Sequence, residues 1–235
     1  MKKYYPADQR WWANHGWLRT AHSFSFASYY NPNQMNFWAL RVLNDDRVSA
    51  WQGFGAHSHQ DMEIISLVTA WSLKHQDDTG NKWIITVDDV QVMSAWSWVV
   101  HSEMNASDTH PVSFFQIWIE TRTPWISPRY DQKHFDPTYR INQFQRLVSP
   151  DGSVWSLQIM QDAWISRISS PTWTSGSYTI LWNSTWIFRF QISGSAEVAW
   201  QKLWERDAIA FTEIESTEYL LDSASDALVI EVPMD

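Results

Sequence analysis

Gly53-Phe54-Gly55-Ala56-His57-Ser58-His59-Gln60-Asp61-Met62-Glu63, taken with His101-Ser102-Glu103-Met104-Asn105, is the part of this chain whose reading decides the rest. Each stretch carries two potential metal ligands at i and i+2. Side chains alternate along a β-strand, so His57 projects with His59, and His101 with Glu103. Pairing of the two strands in one sheet or barrel wall then brings three imidazoles and one carboxylate to a point. Such a donor set suits a first-row divalent ion, with Fe, Mn, Co, Ni, Cu and Zn all chemically acceptable. Four protein ligands leave coordination positions open, as a catalytic site requires.

Glu63 is the rival carboxylate. It has the strand parity of His59, but four residues at about 3.3 Å each carry it roughly 13 Å further along. It reaches the ligands only if the strand bends or bulges, so Glu103 is the expected ligand and Glu63 a supporting or structural residue. His75 and Asp77 read as a pair within a loop spanning 75–81. His15, His22, His110 and His134 lack ligand-like spacing and read as surface or packed residues. All eight histidines fall within the first 134 residues, so an imidazole site belongs to the N-terminal part of the chain.

Around this segment, short apolar runs recur about every ten residues, with no convincing amphipathic helix. Strands are expected at 22–26, 37–43, 64–68, 83–87, 90–93 and 114–120. Turns are expected at 31–33, at Asn44-Asp45-Asp46, and at 94–100 just before the second ligand pair. That rhythm indicates an all-β sandwich or barrel. Residues 123–150 are punctuated by Pro124, Pro128, Pro137 and Pro150, which remove donors and disfavour helix, so they read as a linker. It separates an N-terminal domain at 1–122, which holds the ligands, from a C-terminal domain at 151–235, where short strands resume.

The formal net charge of −9 and the lack of any basic run argue against direct nucleic-acid binding and against an anionic membrane surface. The absence of cysteine excludes disulfides, thiolate metal sites and cysteine nucleophiles. Neither a signal peptide nor a stretch of about 18 apolar residues is present, so a soluble, cytoplasmic protein is the expectation. No phosphate-binding glycine loop, dinucleotide fingerprint or glycine-flanked serine occurs. Seven glycines among 235 residues is far below the average of about 7%, whereas eighteen tryptophans is high. Turn chemistry that normally belongs to glycine has been overwritten, as in a redesigned or heavily substituted chain; a lectin-like use of the tryptophans is the alternative.

Asn14-His15-Gly16-Trp17, His22-Ser23-Phe24-Ser25-Phe26, the stretch 40–46, the two ligand segments, His75-Gln76-Asp77, Phe115-Gln116-Ile117-Trp118 and Pro128-Arg129-Tyr130 together resemble the pirin family, above all its bacterial quercetin 2,3-dioxygenases. The resemblance is ordered over residues 11–135 and thinner beyond. It implies a bicupin, two β-barrel lobes of the double-stranded β-helix type, with one metal in the N-terminal lobe. It also implies His57, His59, His101 and Glu103 as the ligands, Fe(II) as the usual metal, and oxygen-dependent cleavage of the flavonol quercetin, with Glu103 as base for the flavonol hydroxyl. The small-molecule partners would be flavonol and O2, and the expected state is a monomer. Eukaryotic members resemble nuclear transcription cofactors, which makes a metal-loaded regulatory or partner-binding protein the alternative; an inactive variant that keeps fold and metal site is a third reading. This chain departs from the family at Trp71, Trp96 and Trp98, and at Asp89 where a turn glycine is expected. Trp96 and Trp98, close before His101, are expected to crowd the substrate mouth.

Overall fold

The computed structural model describes the backbone of all residues except Thr79, Asn81, Ile126 and Asp235, and among these all side chains except Trp96, Ser97, Trp98 and Val99. Those exceptions place the expected crowding by Trp96 and Trp98 outside the described residues. The all-β expectation is met: among the described residues the regular elements are strands and three short 3-10 turns. Among the described residues, no helix is long and apolar enough to cross a membrane.

The chain divides into two compact units. A first strand, β1 (Lys2–Tyr5), opens the chain. Then follow β2 (Trp11–Asn14), β3 (Leu18–His22), β4 (Leu40–Val48), β5 (Gly53–Ala70), β6 (Ser72–Asp77), β7 (Lys82–Thr86), β8 (Asp89–Asn105), β9 (Val112–Glu120) and β10 (Arg129–His134). From β2 to β10 these form one sheet in the order β2-β3-β4-β9-β5-β8-β6-β7, with β10 also pairing with β8, along Asp89–Ser94. β5 lies between β8 and β9, and its run Ile64-Ile65-Ser66-Leu67-Val68 is buried on both faces. A continuous β-branched apolar run is what such a central strand requires. Leu18, Val48, Val68, Leu73, Ile85, Val112 and Phe114 close one end of this unit as a single cluster. Fully burying a side chain such as Phe114 contributes about 1.5–3 kcal/mol.

The second unit contains β11 (Gln145–Ser149), β12 (Leu157–Gln158), β13 (Trp164–Ser170), β14 (Thr174–Thr179), β15 (Thr185–Ser193), β16 (Ala196–Val198), β17 (Gln201–Leu203), β18 (Ala208–Phe211), β19 (Ser216–Leu221) and β20 (Ser225–Pro233). They make a seven-stranded sheet, β1-β18-β15-β20-β13-β11-β12, and a four-stranded sheet, β14-β19-β16-β17. Side chains from both, among them Ile187, Val229, Leu203 and Tyr219, share one core.

The structure differs from four expectations. The 1–122, 123–150 and 151–235 division differs from the units, which are Met1–Arg10, Asp136–Gln158 and Asp162–Asp235 on one side and Trp11–Phe135 with Ile159–Gln161 on the other. β1 pairs with β18, and the supposed linker supplies β10 to the N-terminal sheet. Prolines at 124, 128 and 137 bracket β10 without entering it, which hid it. Asn44-Asp45-Asp46 is not a turn but the middle of β4, and 94–100 is not a turn but part of the unbroken β8. Likewise His75-Gln76-Asp77 ends β6, and the expected loop begins only at Asp78.

The glycine deficit has a structural counterpart. Trp38, Trp51, Trp71, Trp125, Trp155 and Trp200 all hold φ between 54° and 68°, in the left-handed region that costs an L-residue about 1–2 kcal/mol. Trp71 thus has the strained backbone expected of it. At the other suspected turn the strained residue is Asp88, at φ 69°, not Asp89. Asp89 instead accepts hydrogen bonds from the Thr86 backbone N–H and hydroxyl.

Candidate metal centre

β5 and β8 run antiparallel with His57 directly opposite His101. Gly53 stands opposite Met104, and a Cβ there would overlap the Glu103 backbone carbonyl, so this glycine permits the close approach of the two strands. The register slips between Phe54 and His57 and again between His59 and Gln60, next to Asp61 at φ 51°. The bulge required to redirect Glu63 is therefore present, but it turns Ile64 toward the cavity. Glu63 consequently faces away; it is fully buried and accepts a 2.8 Å hydrogen bond from Ser94 Oγ.

The structure brings His57, His59 and His101 together, with potential ligand atoms within 4.8 Å of one another. Their ring centroids are 4.5–4.9 Å apart. His57 Nδ1 lies 2.7 Å from the Gly55 carbonyl, so it donates there and leaves Nε2 for a metal. His101 Nε2 is buried without a hydrogen-bond partner. Glu103 is 2% exposed and belongs to a second overlapping group with His75 and His101. Ser66 Oγ donates to Glu103 Oε1 at 2.9 Å, and Gln116 Nε2 donates to Oε2 at 2.5 Å. Each carboxylate oxygen retains a lone pair for a cation. Bare, clustered nitrogens beside an oriented carboxylate fit a divalent metal.

Sequence reasoning missed His75, Ser66, Gln116 and Tyr130. His75 is fully buried on β6, opposite Glu103, with Nδ1 3.4 Å from His101 Nδ1. Tyr130, from the supposed linker, packs its ring 4.8 Å from that of His75 and stacks on Trp83. One signal pointed to His75: with Asp77 it makes a third ligand-type pair at i, i+2, joined to the apolar Leu73. Of the other histidines, His110 stacks on Trp71 and His134 pairs with Asp89, whereas His22 is buried on the cavity wall.

Burial governs the electrostatics. It pushes His101 down to about 2, with His57, His59 and His75 adding repulsion, and His59 down to about 4, with help from His57. His75 also falls to about 4, burial outweighing the nearby Asp77. These imidazoles are therefore neutral, the form that binds metal. Burial raises Glu103 to about 7 against the opposing hydrogen bonds of Ser66 and Gln116. The group opens on a cavity of about 170 Å³ walled by aromatic Phe26, Phe54 and Trp118 as well as by polar side chains. Trp118 meets His59 edge to face at 4.7 Å.

A family profile described as Pirin matches residues 6–119, and one described as Quercetinase C-terminal cupin domain matches residues 146–232. The chain is 38% identical over 228 residues to a quercetin 2,3-dioxygenase of Escherichia coli K12, covering 97% of this chain and 96% of that one. It is 37% identical to a putative quercetin 2,3-dioxygenase of Pseudomonas aeruginosa, covering 97% of each. Among solved structures, a bacterial pirin of Escherichia coli in complex with nickel(II) superposes with a TM-score of 0.93, at 36% identity and 99% coverage of both chains.

Proposed function

This chain belongs to the pirin family, with the bicupin fold of that family, and from that premise we propose that it is a metal-dependent dioxygenase cleaving a flavonol of the quercetin type with O2. The observation that carries this reading is the juxtaposition of the clustered His57, His59 and His101 imidazoles with an aromatic-walled cavity. The proposed ligands are His57, His59, His101 and Glu103. A divalent metal held by them would supply a Lewis-acidic centre with open positions for flavonol and dioxygen. Fe(II) is the proposed ion; the relative solved with nickel(II) agrees with a nitrogen-rich site that accepts several first-row metals.

The chain's own residues supply orientation and proton transfer. Phe26 and Trp118 offer faces and edges against which a flat ring system packs. Glu103, ionised when it holds the metal, is placed to accept the flavonol hydroxyl proton. Ser66 and Gln116 hold its carboxylate in one orientation while it does so.

The test is oxygen-dependent loss of quercetin absorbance by protein reconstituted with Fe(II), alongside metal analysis of wild-type and His101→Ala protein. Wild type should hold one metal per chain and consume quercetin with O2, whereas His101→Ala should do neither. Wild-type protein that stays metal-free in the presence of Fe(II) overturns the proposal. Full metal loading without flavonol loss supports the regulatory reading in its place.

A further inference from the structure

Further polar side chains line the same cavity without belonging to the ligand cluster. β3 and β4 pair with Thr20 opposite Asp46 and His22 opposite Asn44, and β4 and β9 pair with Asn44 opposite Gln116. β9 in turn sets Gln116 opposite Ser66 on β5. A polar row thus crosses four strands, starting from the two side chains that hold Glu103 and ending at His22. Adjacent strands lie about 4.8 Å apart, so the far end is roughly 10 Å from Gln116, comparable to the length of a substituted aromatic ring.

Thr20, His22, Asn44 and Asp46 line the cavity and are 2–3% exposed. Asn44 Oδ1, Asp46 Oδ1 and His22 Nδ1 are nevertheless buried with no hydrogen-bond partner. A buried acceptor without a partner is costly, and a sheet interior would normally carry apolar residues at such positions. Asn44 and Asp46 sit at i, i+2 on one strand, so their unpartnered acceptors open on the same space. The ligand they fit carries adjacent hydroxyl groups on a flat ring. Hydroxyls both donate and accept, and the aromatic Phe26 and Trp118 wall takes the ring itself.

We propose that Asn44 and Asp46, flanked by His22, form a specificity subsite that binds ring hydroxyls of the aromatic substrate beside the ligand cluster. The proposal deepens the flavonol reading and rests on it for the substrate's identity.

Its test uses metal-free protein and ligand binding read by tryptophan fluorescence, with quercetin compared with 3-hydroxyflavone, which has the same core without the other ring hydroxyls. Wild type should prefer quercetin by at least about tenfold, as sites built to hydrogen-bond a hydroxyl do. Asn44→Leu and Asp46→Leu should each bring that ratio to within about threefold of unity and leave 3-hydroxyflavone binding within about twofold. Without ligand, Asn44→Leu should melt no lower than wild type, because it removes a buried acceptor that has no partner. An unchanged ratio in Asn44→Leu, or a fall in its melting temperature, overturns the proposal; the ratio of Asp46→Leu is read only if that variant folds. Pyrocatechol against benzene separates the two readings. If wild type binds neither flavonol but prefers pyrocatechol, and the variants lose that preference, the flavonol reading fails and the subsite stands. If wild type shows no preference in either pair, the subsite is refuted.

Discussion

His75 Nδ1 lies 3.4 Å from His101 Nδ1, on adjacent strands, where both rings are buried. With both imidazoles neutral, one can donate to the other, which fixes the tautomer of His101 and leaves its Nε2 bare toward His57 and His59. His75→Phe should therefore weaken metal binding roughly 10–100-fold, with His75→Gln recovering part of the loss. A competition titration against a chromophoric chelator measures this. His57→Ala serves as the control: if that variant keeps full affinity while His75→Ala loses it, His75 is itself a ligand in the group it forms with His101 and Glu103.

Metal uptake should release protons in a pH-dependent way. The imidazoles of His59 and His101 are already neutral at pH 6, so they release none. Glu103, raised to about 7 in the metal-free protein, is largely protonated at pH 6 and must ionise to bind a cation. Calorimetry in buffers of different ionisation enthalpy should show about one proton released per metal at pH 6 and close to none at pH 8.5. Release that does not vary with pH would contradict the placement of Glu103 among the ligands.

Replacing tryptophan by glycine at the left-handed positions should stabilise the fold. Trp200 has φ 65° and is 89% exposed, so it gives up backbone strain with little packing in return. The strain of about 1–2 kcal/mol exceeds the extra chain entropy of glycine, about 0.5–1 kcal/mol. Trp200→Gly should raise the melting temperature by a few degrees. Trp71→Gly should gain less, because it loses a stack on His110 with ring centroids 3.8 Å apart, worth about 0.5–1.5 kcal/mol. Equal gains at the two sites would show that the stack contributes nothing.

Glu63 gives a separate pH signature. Burial raises its pKa to about 7, against hydrogen bonds from Ser94 and the Met160 backbone and the charge of Arg129. The native state therefore keeps a proton that the unfolded chain loses near pH 4.5. The contribution of Glu63 to stability is full below about pH 4.5 and is lost as pH rises through about 7, a swing of roughly 3 kcal/mol. Glu63→Gln, neutral throughout, should be near wild type at pH 4.5 and more stable than wild type at pH 8, as read by chemical denaturation. A difference that does not change with pH would place an ionised Glu63 in the native state.

The strand content and the His57, His59, His101 cluster were legible because both depend on period-two alternation, which is local. The ends of β4, β6 and β8 were not. Asn44-Asp45-Asp46 and His75-Gln76-Asp77 have turn-like composition, yet Asn44 and Asp46 line the cavity and His75 joins the buried histidine cluster, so their polar character marks a site and not a turn. β10 was hidden by its flanking prolines, although its pairing with β8 puts Tyr130 behind His75.

By itself the amino-acid sequence determined the all-β class, the N-terminal location of the histidines, and the shared face of each i, i+2 pair, because alternation and composition are properties of neighbouring residues. Only the tertiary structure decided that past the irregularity between His59 and Gln60, beside Asp61 at φ 51°, Ile64 lines the cavity while Glu63 does not, that His75 stands behind His101, and that Asn44 and Asp46 line the same cavity. Those relations depend on register between strands up to some 70 residues apart. One slipped residue reverses every side chain beyond it, and nothing in the local pattern marks where the slip occurs.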